Sequence, residues 1–166
     1  MSGNGQEELG EAALGLAKLT AGQVYLNGQD AAKLSVAGRL GMGIGYIPAD
    51  PLREGVIPTM SVAENMMLGE QGRYSGSGGL SVNWQQARSD AAEFLGNTFV
   101  SSAPRLDVQA VTLSGGNLQR VIIAREIGRT PKLLIAYYPA RGLDVSNTEA
   151  AHRLLLQHQA QGMGGG

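Results

Sequence analysis

Apolar positions along the chain recur with two different periods. Leu9, Ala12, Ala13, Leu16 and Leu19 fall at helical spacing and predict a helix behind the glycine-rich turn Ser2-Gly3-Asn4-Gly5-Gln6. Glu7 and Glu8 stand in its first turn, where the positive end of the helix dipole favours anions. Gln23 to Leu26 alternate and run into Asn27-Gly28, so a short strand ending in a tight turn is expected there. Ile44 to Ile47 read as a buried strand stopped at Pro48, because proline cannot donate to a ladder.

Helical spacing dominates the middle of the chain. Ser61 followed by Glu64 has the form of a capping box ahead of Val62 to Leu68. Residues 72 to 81, rich in glycine and serine, read as a mobile link, and Trp84 to Phe94 resume helical spacing. From Gly115 to Ile127 an amphipathic helix is expected, with Leu118, Ile122 and Ile123 on its apolar side. Leu133 to Tyr137 form a short apolar run ending before Pro139, which by length and flanks reads as a buried parallel strand. Glu149 to Gln159 are expected to form a last helix, followed by a loose Gly-Met-Gly-Gly-Gly tail. The alternation of helices with short apolar strands implies an α/β layer plus a mainly helical insert at about residues 52 to 112.

Composition narrows the chemistry. With 166 residues, 43% hydrophobic and 16% charged, the chain is long and apolar enough for a globular core. A formal net charge of -1 supplies no global field to draw nucleic acid or anionic lipid, so no nucleic-acid partner is expected. The absence of cysteine excludes disulfides, thiolate metal sites and cysteine nucleophiles. No run approaches the roughly 20 apolar residues of a spanning helix, so membrane association would come through a partner.

The chemistry-bearing segment is Leu113-Ser114-Gly115-Gly116-Asn117 at a helix start. Unpaired N–H groups there point at the positive end of the dipole, and the missing side chains let a phosphate approach. Read alone, Ser114 is a helix cap in a glycine turn. It is followed, however, by Gln119-Arg120, Ala124-Arg125-Glu126, Pro131-Lys132, the apolar strand, Pro139 and Arg141-Gly142-Leu143-Asp144. This series resembles the signature motif, signature helix, Walker B strand and D-loop of the ATP-binding cassette (ABC) ATPases. Gly3-Asn4-Gly5-Gln6 resembles the divergent P-loop in the second ATPase half of simple-sugar and nucleoside importers of that family. Gly43 to Pro48, Arg53-Glu54-Gly55 and Ser61 to Asn65 resemble its Q-loop strand and the start of its helical lobe.

The resemblance implies a P-loop NTPase-like three-layer α/β core with a helical subdomain. It divides the chain into a P-loop remnant and Q-loop region (1–51), a helical subdomain (52–112), and a signature, Walker B-like and D-loop region (113–166). It also implies an incomplete core, since the strand before the P-loop and the strand carrying the switch histidine fall outside the chain. Unpaired edges, exposed apolar faces and marginal stability in isolation are then expected. His152 and His158 do not match the switch position and read as a solvated helix face.

Several positions depart from the family pattern. Gln6 stands at the P-loop lysine and Glu7 at the hydroxyl position, which replaces a cation with an amide and brings an anion near the phosphates. That repulsion amounts to about 4 kcal/mol at roughly 4 Å for an effective dielectric of about twenty. Tyr137 and Tyr138 replace the Walker B aspartate and glutamate, and a phenol is neither a good magnesium ligand nor a base at neutral pH. Apolar packing with a hydroxyl at the rim is their expected role. The Q-loop glutamine position falls on Ala49, with Asp50 beside it read as a loop carboxylate without a special task.

No catalytic residue and no metal ligand is therefore expected in this chain. The family's ATP is sandwiched between the P-loop of one domain and the signature motif of another. Leu113 to Asn117 would thus serve ATP and magnesium held by a second ATPase domain, with Leu143 and Asp144 linking the two sites. Transmembrane permease subunits would hold the assembly at the cytoplasmic face of the membrane. The alternatives are a docking module without nucleotide chemistry, in which Met60, Met66 and Met67 could offer an adaptable surface, or a decayed gene product.

Overall fold

The computed structural model describes residues 5–18, 21–26, 28–76, 81–98, 103–139, 143, 148–149 and 153. In chain order the main elements are α1 (Gln6–Leu14), β1 (Tyr25–Leu26), β2 (Gln29–Asp30), α2 (Val36–Gly41), β3 (Ile44–Ile47), α3 (Val62–Met67), α4 (Trp84–Thr98), α5 (Gly115–Gly128) and β4 (Leu133–Ala136). β3 and β4 pair in parallel, Ile44 opposite Leu133 through Ile47 opposite Ala136. β1 and β2 form the expected hairpin, with Leu26 opposite Gln29 and Gly28 at φ 75° in the turn.

Strand alternation divides the core in two. Ile44, Tyr46 and Ile135 face a cluster that contains Leu14 of α1, Leu26 and Ala31. Ile47, Leu134 and Ala136 face the other way, onto α5 and the helices beyond it. The result is helix, sheet, helix, with α3 and α4 packed on the outer side of α5.

Two helices differ from the pattern read in the sequence. α1 stops at Leu14, because Gly15 adopts φ 80° and its N–H and that of Leu16 return to the carbonyls of Ala12 and Glu11. Leu9 and Leu16, expected on its apolar face, are exposed, and the helix buries Gly10 and Leu14 instead. The buried Arg39 seals this end, donating to the Ala12 and Ala13 carbonyls at 2.5 and 3.1 Å. α5, expected to be amphipathic, is buried all round from Leu118 to Ile127, since sheet and helical lobe cover both sides. Gln119, Arg120, Arg125 and Glu126 are buried with it.

The charges inside α5 are satisfied by distant backbone. Arg125 donates to Glu126 at 2.7 Å and to the carbonyls of Gly55 and Asn65 at 2.8 and 3.3 Å. Glu126 also accepts the Tyr46 amide of β3 at 3.2 Å. One pair of side chains thus ties strand, loop, α3 and α5 together.

The helical stretch is more ordered than its composition suggests. Overlapping the start of the segment read as a mobile link, Gln71–Tyr74 form a 3-10 turn, and the buried Tyr74 hydroxyl donates to Asp90 of α4 at 3.2 Å. Arg73 pairs with the same carboxylate at 2.9 Å, and Ser75 bridges to Val82. α4 runs four residues past Phe94, to Thr98. The capping box forms as expected, with the Ser61 amide and hydroxyl donating to Glu64 at 2.7 and 2.6 Å. β4 departs in the other direction: Leu133 is exposed and the remaining strand residues are only half-buried, because among the described residues β3 is its sole partner. Of the last predicted helix, Glu149 and Arg153 are helical, as is Thr148 just before it, while His152 and His158 lie outside the described residues.

Arg125→Ala would leave the buried Glu126 with only the longer Arg129 contact at 3.4 Å, and is expected to cost about 3–5 kcal/mol in urea unfolding. A change below about 1 kcal/mol would show that the junction is not a structural anchor. The hydrogen bonds from Ser61 hold the Glu64 carboxyl below the ordinary glutamate range. Its stabilising contribution is therefore complete above the unfolded value, near 4.3, and is lost as pH falls through the lower folded one. The stability gap between the natural chain and Glu64→Gln is expected to close below about pH 4 in acid titrations monitored by circular dichroism.

Candidate nucleotide-facing site

The ends of β3 and β4 deliver their following residues to one side of the sheet. Beyond β3 come Pro48, Ala49 and Asp50. The Asp50 carboxylate accepts the amides of Leu52 and Arg53 at 3.2 and 3.1 Å, capping the π-helical turn Pro51–Gly55. Sequence reasoning gave Asp50 no task, and the structure gives it this one; Ala49 beside it is half-buried.

Beyond β4, Tyr137 is half-buried and Tyr138 is exposed, the latter with φ 49° in the left-handed region that a bulky residue rarely adopts. The Tyr137 ring meets that of Tyr46 edge-on, with centroids 6.1 Å apart and planes at 83°. Its hydroxyl presses on α1 at Gly10, where a Cβ would collide with it. The Tyr46 hydroxyl donates to Glu54 at 3.0 Å. Burial, followed by that hydrogen bond and the Glu54 charge, raises the Tyr46 phenol above its ordinary range, and Tyr137 and Glu11 act in the same direction. Sequence reasoning assigned neither Tyr46, Glu54 nor Gly10 to this place. The available signal was the alternation of β3, which puts Tyr46 on the face opposite Ile47.

At the start of α1, Gly5 adopts φ 72° ahead of Gln6, the first helical residue. Gly3, Asn4 and the side chains of Gln6 and Glu7 lie outside the described residues.

The Leu113–Asn117 segment is well defined. Ser114 caps α5, its hydroxyl accepting the Asn117 amide at 3.3 Å. Ser114 and Gly115 are exposed, Leu113, Gly116 and Asn117 half-buried, and open space surrounds Gly115 where a side chain would stand. Asn117 accepts a hydrogen bond from Arg120 at 3.1 Å, which turns its carbonyl back along the helix. One turn further on, Gln119 donates to the Pro139 carbonyl at 3.0 Å, joining the helix to the segment after β4. Leu143 packs against the α5 cluster, and Asp144 lies outside the described residues.

A sequence profile of the ABC transporter family matches residues 1–139. The chain belongs to this family. Among curated ABC relatives it is 39% identical over 166 residues to the guanosine import ATP-binding protein NupO of Bacillus subtilis. It is 37% identical over 162 residues to the nucleoside import ATP-binding protein NupA of Lactococcus lactis. Each match covers 98% of this chain but 32% of the relative, so the chain spans about a third of their length. The dimeric ABC transporter cassette MJ0796 superposes with a TM-score of 0.80 at 25% identity, over 98% of this chain and 68% of that one. The three layers around β3 and β4 are therefore an ABC ATPase cassette fold.

Two places in the structure differ in their fit to magnesium and ATP. At the end of β4 the chain offers two phenols, one wedged against α1, where a magnesium site would use carboxylates. This side does not fit the metal. The start of α5 offers the exposed Ser114 and Gly115 at the head of a 14-residue helix and no side chain at Gly115, which fits an approaching phosphate.

Asp50→Ala is expected to lose about 1 kcal/mol by removing the cap, and Asp50→Asn to retain most of it, as read by chemical denaturation. Equal stability in all three proteins would remove the capping role.

Proposed function

We propose that this chain works as the second, degenerate ATPase half of a sugar-type or nucleoside-type ABC importer. Leu113 to Asn117 and the Leu143-Asp144 D-loop serve an ATP site whose P-loop belongs to a second ATPase domain. Residues 1–51 are its P-loop remnant and Q-loop region, 52–112 its helical subdomain, and 113–166 the segment that faces the partner. Gln6, Tyr137 and Tyr138 leave its own half-site without the lysine and carboxylates that hold magnesium and triphosphate. The chain alone therefore turns over no ATP.

The open N-terminus of α5 carries this reading. Ser114 is already spent on capping, so the remaining donors are backbone N–H groups beside the side-chain-free Gly115. Oriented donors of this kind stabilise phosphoryl oxygens at little reorganisation cost. The similarity to a guanosine import and a nucleoside import ATP-binding protein supports an importer. No helix among the described residues is long and apolar enough to cross a membrane, and the proposed attachment to the cytoplasmic face runs through permease subunits.

The test is a titration with labelled ATP and magnesium, first of the chain alone and then with an intact ABC ATPase domain. Binding is expected only in the mixture. Ser114→Arg, which puts a bulky side chain at the helix mouth, is expected to weaken it by about tenfold or more, near 1.4 kcal/mol. Absence of any nucleotide effect in the mixture, or turnover by the chain alone, would contradict the proposal.

A further inference from the structure

We infer that Tyr137 is a positioning residue that locks α1, the helix behind the P-loop remnant, onto the sheet by contact. The inference deepens the proposed function and rests on its claim that this chain's own half-site carries no nucleotide. Three observations converge on it.

The first is the pairing of sizes. Gly10 lies in the second turn of a nine-residue helix, where glycine is a poor helix former. Its absent side chain is the space that the Tyr137 hydroxyl occupies, with the Ile135 methyl alongside. A large residue at the end of β4 and a missing one in α1 fit each other, and neither choice is explained without the other.

The second is the support behind the ring. Tyr46 meets Tyr137 edge-on, and Tyr46 is itself held by its hydrogen bond to Glu54 at the π-helical turn. The wedge is backed by β3 and cannot simply swing aside.

The third is the otherwise thin attachment of α1. Leu9 is exposed, so below Gly10 the helix is held by Leu14 and by Arg39 at its far end. Tyr137 supplies a contact nearer the start of the helix. A P-loop that binds magnesium and triphosphate anchors the start of its helix through contacts to the bound group, and that binding stabilises the folded state. Here a side chain performs that anchoring permanently.

The two positions can be tested as a cycle on the full chain, by thermal melting of Gly10→Ala combined with Tyr, Phe or Ala at position 137. Alanine at position 10 is expected to lower the midpoint by about 2–4 °C beside Tyr137, and to lower it less beside Phe. In the Tyr137→Ala background it is expected to raise the midpoint, since alanine is the better helix former. If Tyr137→Ala does not fold, the comparison of Tyr with Phe still reads the hydroxyl contact. The same shift at position 10 whatever stands at 137 would overturn the lock. Adding magnesium and ATP to the natural chain separates the two claims: a raised midpoint there would overturn the proposed function while leaving the contact cycle intact.

Discussion

The fold depends on a buried ion pair placed where three parts of the chain meet. Arg125 and Glu126 sit side by side on α5, and between them they hold the Tyr46 amide of β3, the Gly55 carbonyl of the π-helical turn and the Asn65 carbonyl of α3. Burying two charges is costly, and a hydrophobic pair of similar size could be as stable. What the ions provide is a fixed geometry between α5, the sheet and the helical lobe. The N-terminus of α5 is held in place by this junction at one end and by the Gln119 bond to Pro139 nearer its start.

From that junction the two faces of the sheet diverge. The α5 face is densely packed, with Ile47, Val62, Leu95, Val121, Ile122 and Ile123 all fully buried. The α1 face is smaller and relies on particular contacts, the Arg39 cap and the Tyr137 wedge among them. The better-packed half is the one that carries the open helix terminus, and the thinner half ends in phenols. Stability around α5 preserves the part of the molecule that presents the exposed start of that helix.

Motifs whose physics is local were legible in the sequence. The Ser61–Glu64 capping box, the Asn27-Gly28 hairpin, the stop of β3 at Pro48 and the Ser114 cap each depend on residues within a few positions of one another. The alternation of elements implied an α/β layer with a helical insert, and the three-layer core came from the family resemblance. Other features were hidden because their cause lies far along the chain. α5 read as amphipathic because its charged residues look solvated until Gly55, Asn65 and Tyr46, 60 to 80 positions away, supply their partners. α1 misled in the opposite sense, since one of the two residues it buries, Gly10, is a glycine and carries no hydrophobic signal. Tyr74, inside a glycine- and serine-rich stretch, gained its order from Asp90 on α4. At the site, the helix start and Ser114 cap of the Leu113–Asn117 segment were legible, whereas the union of Tyr46, Tyr137 and Gly10 required the register of β3 on β4.

The central claim is that this chain completes an ATP site it cannot form alone, and nucleotide stoichiometry tests it most directly. A complex of the chain with an intact ABC ATPase domain, slowed by removal of that domain's own catalytic glutamate, can be purified in magnesium and ATP and its nucleotide counted by native mass spectrometry. The account predicts a single ATP in each heterodimer, lost with Ser114→Arg. Two nucleotides per heterodimer, or none, would contradict it.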